Sequence, residues 1–125
     1  MNSKVRNYLI ELSRKRTNQT VTYQKLSDDC SLGLDMRNNP NDRKILGKIL
    51  GDISTYEHQN NKRPLLSALV IRSGDNYEGD GFYKLAEELG FGNWQKLKKE
   101  GLFEVLQIKK CIEFWSDDKN YQEYK

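Results

Sequence analysis

The sequence predicts an α+β fold that is mostly helical, a winged-helix-like domain with a short β-hairpin and extra C-terminal helices. Three observations lead there. Apolar residues recur at helical spacing in several segments, one short apolar run rich in branched residues reads as a strand, and a glycine-bearing turn follows that run. A chain of 125 residues can bury one modest core without metals or disulfides. The expectation is therefore a single domain over 1–125, with a winged-helix-like core at 20–82 and flanking helices at 1–16 and 93–125.

Each element has its own reason. Val5, Tyr8, Leu9 and Leu12 fall at i, i+3, i+4 and i+7, the stripe of an amphipathic helix over about 3–15. Thr22 is placed to cap a short helix YQKLSDDC, because its hydroxyl can accept from an early backbone N–H. Residues 31–41 gather Gly33, Asn38, Asn39 and Pro40 and read as a loop. Asn41 is then expected to cap a long helix to about Gln59, with Ile45, Leu46, Ile49, Leu50, Ile53 and Tyr56 on its core arc. After Arg63-Pro64, the run LLSALVIR predicts a buried strand ending at the turn Ser73–Asn76, and an arm through Tyr77 would complete the hairpin. Phe82, Leu85, Ala86 and Leu89 make a helical stripe that stops at Gly90. Asn93 is a cap for a further turn with Trp94 and Leu97. Beyond Gly101 a last helix is expected to turn Val105, Ile108, Ile112 and Trp115 inward.

Composition removes several function classes. No apolar run of about 18 residues exists, and the N-terminal segment lacks an apolar signal region, so the reading is a cytoplasmic chain with no membrane partner. Cys30 and Cys111 form no CxxC pair and His58 is the single histidine, which argues against a Cys/His zinc site; no metal or cofactor is expected. Carboxylate clusters at Asp28-Asp29, at Asp75, Glu78 and Asp80, and at Asp117-Asp118 have no accompanying catalytic motif, so a hydrolase or nuclease is the least supported class. A net charge of +3 and a pI near 8.8 favour an anionic partner.

The arc of the long helix opposite its core face carries Arg43, Lys44, Gly47, Lys48, Gly51 and Thr55. Glycine costs roughly 1 kcal/mol in a helix interior, so a pair at i, i+4 on one face suggests that something comes close to the backbone. Either a neighbouring helix crosses tightly there or a polyanion lies against the face. Taken alone, the spacing favours the crossing.

The segment V21-T22-Y23-Q24-K25-L26-S27, followed by K44-I45-L46-G47 and then by P64-L65-L66-S67-A68-L69-V70, resembles the DNA-binding domain of alkylguanine-DNA alkyltransferases and alkyltransferase-like proteins. Those families carry a Val-Ser/Thr-Tyr-x-x-Leu/Ile-Ala start, an Arg-Ala-Val-Gly helix and a Pro-Cys-His-Arg-Val-Val strand entry. The resemblance covers roughly residues 20–82. It implies a winged-helix fold, a Tyr23 contact to the DNA backbone, and Lys44, or Arg43 one place earlier, at the position of the family's intercalating arginine. Pro64 or Leu65 would match the active-site proline, and Gly79-Asp80-Gly81-Phe82 the glycine-rich segment that closes the site. The nucleophile position is Leu65 or Leu66 here, so no thiolate is available and alkyl transfer is not expected.

The expected function is a non-catalytic nucleic-acid-binding domain that contacts DNA through the basic face of residues 42–58. Its site residues would be Tyr23, Arg43, Lys44, Gly47 and Lys48, with the anion-favouring N-terminal end of the helix beside them. The alternative is a protein-interaction module, of immunity, antitoxin or accessory-subunit type. Its contact surface would be the tail FWSDDKNYQEYK, with Phe114, Trp115, Tyr121 and Tyr124.

Overall fold

The computed structural model describes residues 1–72 and 79–125. Seven α-helices and one short parallel strand pair occur in this part of the chain, a mostly helical α+β arrangement. Helix α1 spans Ser3–Ser13 and starts on Asn2, whose side chain accepts from the Val5 N–H at 3.0 Å. Strand β1 is Val21–Thr22, and Thr22 caps α2, Tyr23–Asp29, as the sequence predicts, accepting from the Lys25 N–H at 3.3 Å. The long helix α3 runs Pro40–Gln59. Its cap is Asn39 rather than Asn41. Proline suits the first helical position, where its missing N–H would have no partner in any case, so the helix begins one residue after Asn39.

The run LLSALVIR is not one strand. A 3₁₀ turn, Leu66–Leu69, precedes a two-residue strand β2, Val70–Ile71, which pairs in parallel with β1 through Val21↔Val70 and Thr22↔Ile71. Side chains take the place of the missing ladder. The Leu65 N–H donates to Gln107 Oε1 at 3.0 Å, Cys111 Sγ donates to the Leu65 carbonyl at 3.3 Å, and the Ser67 N–H donates to Ser54 Oγ at 3.1 Å. With these groups satisfied by side chains, residues 65–67 are buried without a neighbouring strand. The turn Ser73–Asn76 and the hairpin arm through Tyr77 lie outside the described residues.

Helix α4, Asp80–Glu88, ends before Gly90, whose φ of +94° favours glycine. Helix α5, Trp94–Glu100, is capped by Asn93 as expected and stops at Gly101 in the left-handed region. The expected last helix divides into α6, Phe103–Ser116, and α7, Asp118–Tyr124, because Asp117 leaves helical geometry and accepts from the Lys119 and Asn120 N–H groups.

One core cluster joins both ends of the chain: Val5, Leu9 and Ile10 of α1 meet Leu46, Leu50 and Ile53 of α3, and Cys111 and Trp115 of α6. A second cluster holds Leu65, Ala68, Phe82 and Tyr83. Two faces are rotated from the expected ones. On α3 the buried arc is Leu46, Leu50, Ile53, Ser54 and Glu57, while Ile45 and Tyr56 stay exposed. On α6 it is Glu104, Gln107, Cys111 and Trp115, while Val105 points outward. Polar partners explain the rotation. Glu57 is drawn inside by Arg6 and Arg63, and Gln107 by the Leu65 backbone. No helix among the described residues is long and apolar enough to cross a membrane.

Candidate functional site

A cleft opens where the first turn of α2, the glycine arc of α3 and the start of α4 converge. It consists of two adjoining hollows that share Tyr23, Gly47 and Gly81 as lining. The larger, about 490 Å³, adds Thr22, Gln24, Met36, Arg43, Arg72 and Gly79 and is the cationic end. The smaller, about 280 Å³, adds Leu50, Gly51, Ser67, Phe82 and Leu85, with Lys84 and Glu88 also among its walls.

The glycines of α3 are floor, not helix contact. Among the described residues, a Cβ built on Gly47, Gly51 or Gly81 would meet nothing within 4 Å. Among the described residues, then, no helix makes the tight crossing favoured by spacing alone, and this arc borders the cleft.

Arg43 does more than supply charge. Its Nε–H donates to the Met36 carbonyl at 2.5 Å and its Nη2 to the Arg37 carbonyl at 3.1 Å, tying the loop between α2 and α3 to the first turns of α3. Gln24 works from the other side: its Oε1 accepts from the Met36 N–H and its Nε2 donates to the Leu34 carbonyl, both at 2.9 Å. Asp42 accepts from the Asp35 N–H at 2.9 Å. The Asn38 backbone N–H, with the Asn38 amide and the Arg37 N–H, holds the Asp35 carboxyl below the usual carboxylate range. A loop too long for an ordinary helix-turn-helix thus becomes a pinned wall of the cleft.

Of the residues the sequence singled out, Tyr23, Arg43 and Gly47 come together in the cleft. Lys44 and Lys48 are exposed on α3 but do not line it; Lys48 reaches Asp52 at 3.3 Å, and Lys44 has no ion pair among the described residues. Leu65 is fully buried and Pro64 half-buried, and neither lines the cleft, whereas Ser67 does. Cys30 and Cys111 are both buried away from it, and burial raises the Cys30 thiol above its ordinary value. Arg72 was missed by the sequence reading. A cation directly after an apolar run was the available signal, since such a residue must emerge where the buried segment reaches the surface. Between the lining residues Gly79 and Gly81 in the sequence, Asp80 is bound by Lys98, which holds its carboxyl low.

The tail residues are not a free surface. Trp115 is fully buried, Phe114, Tyr121 and Tyr124 are partly buried against the main core, and Arg14 donates to the Trp115 carbonyl at 2.8 Å and to Asp118 at 2.9 Å. No protein-family model, curated protein or solved structure matches this chain.

Proposed function

We propose that this chain is a cytoplasmic, non-catalytic nucleic-acid-binding domain that receives DNA along the cleft between α2, α3 and α4, with winged-helix-like use of α3. One observation supports it above the others: an aromatic ring, Tyr23, and two guanidinium groups, Arg43 and Arg72, border one hollow whose floor is glycine backbone. Guanidinium groups suit phosphate oxygens, tyrosine offers a ring and a hydroxyl, and bare backbone lets a sugar-phosphate strand approach closely. Lys44, exposed on the same helix, adds a cation outside the cleft.

Fluorescence anisotropy of labelled duplex, single-stranded and mismatched oligonucleotides across a salt series tests the reading. Affinity should fall linearly with the logarithm of salt concentration, and Lys44→Ala should reduce the magnitude of that slope by about 1 without altering stability, because one fewer counterion is released. Absence of salt-dependent binding to every oligonucleotide would contradict it.

A further inference from the structure

The first two turns of α6 are amphipathic the wrong way round for a helix that meets only its own chain, although Cys111 and Trp115 further along its inner face belong to the core. Its inner face buries Glu104 and Gln107, while its outer face exposes Val105 at 58% and Leu106 at 51%, with Leu102 at 64% just before the helix begins. Single exposed leucines are ordinary; three aliphatic side chains contiguous over one turn are a patch. The apolar surface continues through Phe103 to Phe91, 37% exposed, whose ring centroids are 5.1 Å apart.

The surrounding charge says what kind of surface would cover it. Lys109 follows Val105 and Leu106 at i+4 and i+3, Lys110 follows Leu106 at i+4, and Lys99 precedes Leu102 across the Gly101 turn. All are exposed, and none has an ion pair among the described residues. Glu104, next to Val105, is buried on the inner face, and the exposed acids nearest in sequence are Glu100 and Glu113, one at each end of the strip.

We propose that this outer face of α6 docks an acidic amphipathic segment of a protein partner, whose apolar side chains cover Leu102, Val105 and Leu106 while its carboxylates meet Lys109, Lys110 and Lys99. Charge complementarity selects that occupant. A second copy laid symmetrically on the face would bring its lysines against these lysines. An anionic lipid surface would meet Glu113 and Glu100 and only one turn of apolar side chains, short of the long apolar face with which interfacial helices bind.

The test uses the whole chain and a fluorescein-labelled helix-forming peptide carrying leucines at i, i+3, i+4 and i+7 with glutamates between them. The expected result is saturable binding that weakens with salt, amide shifts confined to residues around 102–110, and at least tenfold weaker binding by Leu102→Ala/Leu106→Ala and by Lys109→Glu/Lys110→Glu. Because these side chains are exposed, both variants should melt with the wild type, which separates lost docking from lost folding. The same peptide with lysine for glutamate should not bind. No binding, shifts mapping elsewhere, self-association of the chain through this face in sedimentation, or adsorption to phosphatidylserine vesicles in place of peptide would each overturn the proposal.

Discussion

Glu57, fully buried on α3, accepts the Arg6 Nε–H at 2.5 Å, so one carboxylate in the middle of the chain anchors the N-terminal helix. Arg63 donates to its second oxygen at 2.5 Å, and Arg6 also donates to the Tyr124 carbonyl at 2.7 Å. Two guanidinium groups thus share one carboxylate. Their remaining charge faces aromatic rings, Arg6 over Tyr56 and Trp115 and Arg63 over Tyr56 and Tyr124. The Nη2 of Arg63 finds no acceptor among the described residues, so nothing else there can substitute for Glu57.

Removing that carboxylate should be costly. Breaking a buried ion pair from one side typically costs about 3–5 kcal/mol, because the partner charge stays buried without compensation. Glu57→Gln is expected to lose about that much in denaturant melts, and to loosen α1 and α7 along with α3. A loss below about 1 kcal/mol would mean that the two arginines relax to water without disturbing the core.

Neighbouring residues of α3 should respond very differently to the same change. Leu46→Ala, at a fully buried position, should cost about 2–5 kcal/mol, whereas Ile45→Ala, at a position 41% exposed, should stay within about 1 kcal/mol. Comparable losses in the two melts would place Ile45 in the core and contradict the observed face.

That pair also marks how far the sequence could be read. Local rules located α2, α4 and α5 and the caps of α2 and α5, since Thr22 and Asn93 act on N–H groups three residues away. Periodicity could not orient α3 or α6. An apolar count ranks Ile45 and Val105 above Glu57 and Gln107, and only contacts distant in sequence, Arg6 with Glu57 and Leu65 with Gln107, reverse the ranking. The same limit governs the cleft. Tyr23, Arg43 and Gly47 belong to recognisable helices, but Arg72 joins them through the parallel pairing of β1 with β2, which short-range spacing does not encode. Likewise Arg43 reads as a free cation in sequence, and its bonds to Met36 and Arg37 appear only once the loop folds back.

The contact between the two chain ends should depend on pH at both extremes. Lys125 and Tyr121 donate to the Glu11 carboxylate, which holds it below its ordinary range, and the same contact raises Lys125. A lowered carboxylate contributes stability above its unfolded value of about 4.3, lost as pH falls through the lower folded value. A raised lysine contributes below its unfolded value of about 10.4, lost as pH rises through the higher folded value. Hydrogen exchange in α7, corrected for intrinsic rates, should therefore be slowest between those limits and should quicken with added salt. Protection that is flat across both limits would show that packing alone holds α7.

The glycine floor of the cleft permits a test in which binding and stability move in opposite directions. A Cβ at Gly47 meets nothing within 4 Å among the described residues, so Gly47→Leu should gain up to about 1 kcal/mol from helix propensity while projecting into both hollows. Salt-dependent oligonucleotide binding measured side by side on the wild type and on Gly47→Leu is the most direct measurement. The variant should melt no lower than the wild type and bind at least tenfold more weakly, because the strand can no longer reach the backbone. Equal binding by the two proteins, or no salt-dependent binding by the wild type, would contradict the assignment of the cleft to nucleic acid.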